Sequence, residues 1–254
     1  MEHVLVTGGT SGIGLELAKN FAKDGYGIII VSSSSERLQK VRKKFKNEFD
    51  ISILTYQQDL GKIGAALELY NKIKEDNLTI SILVNNAGIG LAGATNEIDL
   101  NQDEKLLILN IVSLVELSKL FISDMYKQGH GKVLNVASTG AFQPGPYTST
   151  YFASKAFVLS YSRAVRYEAK DKGVQVCTLC PHSTKTEFFM REGLKTPEDA
   201  MSAEELARYG YKQFTKNKEI IVPGLANRIR ISRWIPVKLK MNIVARMKSK
   251  KRKE

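Results

Sequence analysis

Short apolar runs rich in β-branched residues alternate along this chain with longer amphipathic stretches, and that alternation restricts the folds open to it. Val4-Leu5-Val6 reads as a strand and the stretch from Gly12 to Lys23 as a helix. Further strands are predicted over 27–32, 51–57, 80–85, 132–136, 174–180 and 220–222, separated by helices over 35–49, 61–76, 106–121 and 149–172. The strands carry almost no polar residues, which suits strands covered on both faces. The order predicts an α/β fold, with one parallel sheet of about seven strands and helices on both faces. The 254 residues fit a single large domain and show no internal repeat.

The first strand leads into Thr7-Gly8-Gly9-Thr10-Ser11-Gly12-Ile13-Gly14 and then directly into a helix. Glycines at this point let the chain turn sharply and let its backbone approach a pyrophosphate, while the helix N-terminus supplies N–H groups and partial positive charge. In a strand–turn–helix context this is a dinucleotide-binding turn, and the sheet becomes a doubly wound, Rossmann-type one. Gly8, Ser11, Gly12, Ile13 and Gly14 are the candidate phosphate contacts. The second strand ends in Ser32-Ser33-Ser34-Ser35-Glu36-Arg37, with no acidic residue among the serines to take a ribose 2′-hydroxyl. Ser33 and Arg37 could instead receive a 2′-phosphate, which favours NADP over NAD. The competing reading is a serine-rich turn with Ser35 as the helix N-cap and Glu36 facing outward.

Tyr151 and Lys155 lie four apart on a predicted helix and therefore share a face. A tyrosine ionises near ~10 in water, and a neighbouring ammonium lowers that value toward what a neutral-pH acid/base needs. Ser138 follows the strand over 132–136, at the carboxyl ends of the strands, where reactive groups collect in this sheet type. Asn85-Asn86-Ala87-Gly88 closes the strand begun at Ile80. Asn110 sits inside a helix, and composition alone marks it as solvated.

In order and spacing these segments resemble the classical short-chain dehydrogenase/reductase family, from about Val4 to Thr186. The resemblance implies an NAD(P)-dependent oxidoreductase moving a hydride between nicotinamide and a carbonyl or secondary alcohol. It implies Tyr151 as acid/base, Ser138 as partner of the substrate oxygen, and Lys155 as the cation beside Tyr151 and the nicotinamide ribose. Asn110 would hold a water linking Lys155 to solvent. Asp59 and Leu60 would flank the adenine, with Asn86, Ala87 and Gly88 beside its ribose and Pro181 and Thr186 at the nicotinamide end. The family usually has Pro-Gly where this chain has Pro181-His182; His182 reads as a loop residue, with substrate contact as the sharper alternative. A lid is expected over about 183–215, and the apolar Phe188 and Phe142 suggest a hydrophobic substrate such as a hydroxysteroid or fatty carbonyl. A non-catalytic nucleotide-sensing protein on this fold is the alternative, although such a protein should lack Tyr151 or Lys155.

The net charge of +12 is concentrated at one end. Residues 228–254 hold 11 Lys or Arg and one acidic residue, so the preceding 227 are nearly neutral. That excludes reading the whole chain as a nucleic-acid binder. Residues 1–226 are taken as the dehydrogenase domain and 227–254 as a basic amphipathic extension, with Pro236 opening a helix at its first position. This extension is expected to pack on its own body or on a neighbouring subunit; contact with an anionic membrane surface is the less favoured reading. A homodimer or homotetramer is expected. Cys177 and Cys180 read as thiols on opposite strand faces that do not meet, His3 and His130 as surface residues, and no metal site is predicted. Without a leader-like N-terminus or a run of about 18 apolar residues, the chain is expected to be cytoplasmic.

Overall fold

A computed structural model describes residues 2–191, 195–231 and 235–250. In chain order the elements are β1 (His3–Thr7), α1 (Gly12–Lys23), β2 (Gly27–Ser32), α2 (Ser35–Glu48), β3 (Ile53–Gln57), α3 (Ala65–Glu75), β4 (Ile80–Asn85), α4 (Leu100–Leu107), a π turn (Ile108–Val112), α5 (Ser113–Gln128), β5 (Gly131–Val136) and α6 (Ser149–Ala169). Then come β6 (Val174–Leu179), β7 (Thr184–Lys185), α7 (Phe188–Arg191), β8 (Met201–Ser202), α8 (Ala203–Thr215), β9 (Ile220–Ile221), α9 (Leu225–Arg230) and α10 (Val237–Lys250). Seven strands form one sheet in the order β3-β2-β1-β4-β5-β6-β9, parallel throughout. This is the predicted doubly wound sheet.

The sheet's two faces carry separate cores. One buries Leu17, Phe21, Phe45, Leu206 and Phe214 against Val4, Ile28 and Val84; the other buries Leu69, Ile73, Leu117, Phe121 and Met125 against Leu5, Ile29 and Leu83. Alternate residues of each strand supply opposite faces, so an unbroken apolar strand is what this arrangement requires. Cys177 and Cys180 are both free and buried, and they fall in different clusters, as their spacing on a strand demands.

Several local expectations shift. The cap of α2 is Ser34, whose Oγ accepts from the Arg37 N–H at 3.3 Å, and Ser35 is already helical. Residues 61–64 form a turn ending at Gly64 (φ 80°), so α3 starts four residues late. Likewise α10 starts at Val237, with Pro236 accepting the Lys240 N–H one place before the helix. His3 is buried in β1, its ring lying where a side chain at Gly27 would stand, whereas His130 is exposed as expected.

The predicted helix over 106–121 extends to Leu100–Gln128, opened by Asp99, whose carboxylate accepts from the N–H groups of Asn101 and Gln102. This run is long and apolar enough to cross a bilayer, yet half of its most apolar window is buried. Leu106, Leu114, Leu117, Phe121 and Met125 account for its apolar character as core packing. The end of the segment expected as a lid does not stand apart from the body. Helix α8 buries Leu206, Ala207 and Phe214 in the same core as α1, with the Phe21 and Phe214 rings edge to face, so 203–215 belongs to the body. Strands β7 and β8 pair at the base of the intervening loop.

Candidate active site

The sheet order reverses between β1 and β4, and a crevice forms above their carboxyl ends. A cleft of about 850 Å³ occupies it. At its floor, Gly8 and Gly12 both take positive φ (65° and 55°), which L side chains rarely adopt. A Cβ on Gly14 would stand 2.4 Å from Asn86 Nδ2 and 2.5 Å from the Gly8 carbonyl oxygen. Only glycine permits this approach. Asn86 Nδ2 donates to the carbonyls of Thr7 and Gly8, and Thr7 Oγ1 accepts the N–H groups of Asn86 and Ala87 at 3.0 Å. The turn and the β4 exit are thereby clamped into one rigid cradle. No side chain caps the start of α1, so its first N–H groups are available to an anion, which suits a dinucleotide's phosphates.

Beyond the cradle, Ser33 and Arg37 line the cleft. Glu36 turns outward to Lys40 at 2.5 Å. Arg37 Nη1 pairs with Glu187 Oε2 at 2.7 Å, bridging the cofactor side of the cleft to the segment above it. Asp59 and Leu60 lie opposite; Asp59 Oδ1 accepts the Gly61 N–H and Oδ2 faces Lys105 at 3.5 Å.

The reactive end is built from β5, β6 and α6. Ser138 follows β5, where the Ala137 N–H donates to Leu179 and the Thr139 N–H to Pro181. Its Oγ accepts from the Gly140 N–H at 3.0 Å, which leaves the hydroxyl proton to aim at a ligand oxygen. Tyr151 and Lys155 stand one turn apart on α6, with Lys155 Nζ 5.9 Å from the Tyr151 ring centre. Lys155 is buried and donates to the Val136 carbonyl at 2.9 Å. Burial pushes its pKa down to about 8, against a smaller opposing effect of Cys180.

Asn110 is not solvated. It sits buried in the π turn, where an extra residue in the helix loosens the regular ladder. Its Nδ2 donates to the Ile89 carbonyl and to Ser154 Oγ, and its Oδ1 accepts the Ile89 N–H. A Cβ on Gly88 would lie 3.1 Å from Asn110 Oδ1 and 3.3 Å from Lys155 Nζ, so the three residues meet.

All expected site residues but three line this single cleft: Gly8, Ser11, Gly12, Ile13, Ser33, Arg37, Asp59, Leu60, Asn86, Ala87, Gly88, Ser138, Tyr151, Lys155, Pro181, Thr186 and Phe188. Gly14 and Asn110 stand behind its wall in the contacts just described. Phe142, expected against substrate, instead packs on the cluster of Leu114, Ala137 and Val158. The Phe188 ring lies 5.4 Å from the Tyr151 ring, with Phe189 edge-on behind it.

His182 lies in a loop, as expected, and lines the cleft with Nδ1 2.8 Å from Thr139 Oγ1, a placement within reach of a substrate. One feature went unseen in the sequence. The C-terminal extension also contributes: Asn227, Ile231, Ile235, Lys240, Ile243 and Val244 form one wall. The i, i+3, i+4 spacing of 240, 243 and 244 was legible as a helix face but gave no clue to what it covers. The wall is tied to the body, since Arg228 donates to the Val222 carbonyl and Asn227 to the Pro223 carbonyl, while Lys240 and Val244 are buried. Of the stretch over 229–237, residues 232–234, including Trp234, lie outside the described residues.

Comparison with known proteins agrees with this geometry. A family model for short chain dehydrogenases matches residues 2–196. The chain is 29% identical to the very-long-chain 3-oxoacyl-CoA reductase of Mus musculus over all of its own length and 84% of that protein. It is 31% identical to the 17-beta-hydroxysteroid dehydrogenase type 3 of Mus musculus, over 73% of this chain and 61% of that one. A short-chain dehydrogenase from Sphingobium yanoikuyae, solved with NADPH, superposes with a TM-score of 0.84 at 29% identity, covering 90% of this chain and 91% of that one. With the family model covering most of the chain and the fold shared with a solved short-chain dehydrogenase, the chain belongs to the short-chain dehydrogenase family of NAD(P)-dependent oxidoreductases.

Proposed function

We propose that the protein is an NADP-dependent oxidoreductase for a bulky, hydrophobic carbonyl compound or the matching secondary alcohol. The carrying observation is the apolar part of the cleft lining: Phe188 lies against Tyr151, and Phe189, Ile231, Ile235, Ile243 and Val244 line the same cleft. Apolar side chains here favour a substrate with apolar surface to bury, on the order of 25 cal/mol per Å². The names of the two mammalian relatives, an oxoacyl-CoA reductase and a hydroxysteroid dehydrogenase, support the same class. The catalytic residues argue against a non-catalytic sensor, which has no use for a buried lysine beside a tyrosine.

The nicotinamide, when bound, supplies or accepts the hydride. The chain's own residues do the rest. Ser138 donates to the substrate oxygen and steadies the charge that develops there. Tyr151 gives that oxygen its proton in reduction and removes it in oxidation. Lys155 places an ammonium beside Tyr151 and favours the phenolate. Asn110, held by Ile89 and Ser154, fixes the polar surroundings of Lys155. A panel of hydroxysteroids, fatty carbonyls and small polar ketones, followed by nicotinamide absorbance, tests the class. Bulky apolar members should have the highest kcat/KM, and a preference for small polar ketones would overturn the reading.

The preference for NADP rests on Ser33 and Arg37, on the outward Glu36, and on NADPH in the Sphingobium relative. Arg37→Ala should raise the KM for NADPH about tenfold or more while changing that for NADH little. Glu187→Gln removes the competing carboxylate and should lower the KM for NADPH. Equal effects on both cofactors would count against a 2′-phosphate site at Arg37.

Two further readings belong with this one. Half-exposed Leu107, Val112 and Phe157 on the outer faces of α4, the π turn and α6 support self-association, and sedimentation as a monomer at micromolar concentration would exclude it. The two unpaired thiols support a reducing compartment such as the cytoplasm, which imaging of a tagged chain would test.

A further inference from the structure

The helix that walls the cleft has a second face. Lys240 and Val244 point into the body, and Ile243, about 60° round the helix from Lys240, both lines the cleft and is 49% exposed. Further round, Leu239 is 52% exposed, on the same strip as Ile243 and Arg246. Val237 at the start of α10, and Leu225 and Ile229 on α9, are also exposed, at 54%, 71% and 60%. A soluble surface seldom places this many large aliphatic residues on two neighbouring short segments.

The charge of these segments narrows what could cover them. Arg228, Lys238 and Arg246 are interleaved with the exposed aliphatics, and Lys248, Lys250, Lys251, Arg252 and Lys253 follow in sequence. Among residues 228–253 there is no acidic residue at all. Aliphatic side chains beside a run of cations with no acidic residue among them in sequence complement a surface that is anionic outside and apolar beneath. Each cation near such a surface adds electrostatic attraction, and the aliphatics add the energy of burial in the headgroup region.

We propose that the outer face of α10 docks on an anionic lipid bilayer, with Leu239 and Ile243 seated at the headgroup boundary. Ile243 belongs to the docking strip and to the cleft wall, so docking sets the cleft's lip against the bilayer. A hydrophobic substrate of the class proposed above then passes from the lipid to Tyr151 without crossing water. The docking itself depends only on the helix face, and its test is independent of turnover.

The test is co-sedimentation of the full chain with phosphatidylcholine vesicles, with and without phosphatidylserine, at low and high salt. The wild type should bind the anionic vesicles at least about tenfold more tightly than neutral ones, and high salt should weaken binding. Leu239→Glu and Arg246→Glu, neither of which lines the cleft, should each reduce that binding about tenfold or more. Both should keep the wild-type melting temperature and turnover of a water-soluble ketone. Equal binding to both vesicle types, or unchanged binding of both variants, would overturn the proposal. So would a concentration-dependent dimer abolished by Leu239→Glu without vesicle binding, which would assign the face to a second copy of the chain. Vesicle binding with no turnover of any carbonyl would leave the docking standing and remove the catalytic reading instead.

Discussion

Tyr151→Phe is expected to lower kcat by about 10³-fold while leaving the cofactor's dissociation constant within a few-fold. The substitution removes one oxygen and keeps the ring, so the contact with Phe188 at 5.4 Å and the packing of α6 survive. What disappears is the only proton donor the proposed mechanism offers the substrate oxygen. Ser138, whose Oγ is held by the Gly140 N–H, still orients the carbonyl, and some turnover should therefore persist above the uncatalysed rate. The measurements are steady-state turnover on the best substrate of the carbonyl panel and cofactor titration by nicotinamide fluorescence. Turnover within tenfold of the wild type would sink the assignment. A parallel loss of cofactor binding would show that the residue acts structurally.

The sheet was legible because periodicity reports burial directly: a strand covered on both faces has no polar residue to place, and β2 and β4 appear in the sequence with their observed bounds. The glycine cradle was legible because positive φ and close backbone approach leave few alternatives to glycine, as the contacts at Gly8 and Gly14 bear out. Asn110 was not legible from composition. Its burial depends on a π turn, and a single inserted residue in a helix has no signature in hydrophobic spacing. Phe142 misled because a place shortly after Ser138 in sequence does not say which way the ring turns: it packs into the core, whereas Phe188 on the distant lid segment lies against Tyr151. The tail's amphipathic pattern predicts packing on the body or on a neighbouring subunit, but it specifies a buried face and not the partner. That partner is the substrate cleft, through Lys240, Ile243 and Val244.

Lys155→Met should be nearly as damaging to turnover, by about 10²-fold or more, and it also carries a signature in stability. In the cofactor-free protein, burial holds the Lys155 pKa at about 8, below the value of about 10.4 that an unfolded chain gives it. Below pH 8 both states hold the proton, and the folded state bears the cost of a buried ammonium. Between pH 8 and about 10.4 the folded state has released the proton and the unfolded state has not. Stability must then rise with pH, by at most about 1.4 kcal/mol per unit. Cys177 and Cys180 oppose this. Burial raises them to about 11 and about 12, so above pH 9 the folded state keeps protons that the unfolded thiols lose, and stability falls. The two effects separate in a comparison. Cys177 and Cys180 remain in Lys155→Met, so apart from the coupling between Cys180 and Lys155 their contributions cancel, and the melting temperature of the wild type relative to the variant reports chiefly the lysine. That difference should shift in favour of the wild type from pH 8 upward and be flat between pH 6 and 7. A difference that stays constant across pH 8 to 10 would mean that Lys155 keeps its proton in the fold. The lysine's work beside Tyr151 would then be done by a permanently charged ammonium, and kcat in oxidation should show no loss attributable to Lys155 over the same range.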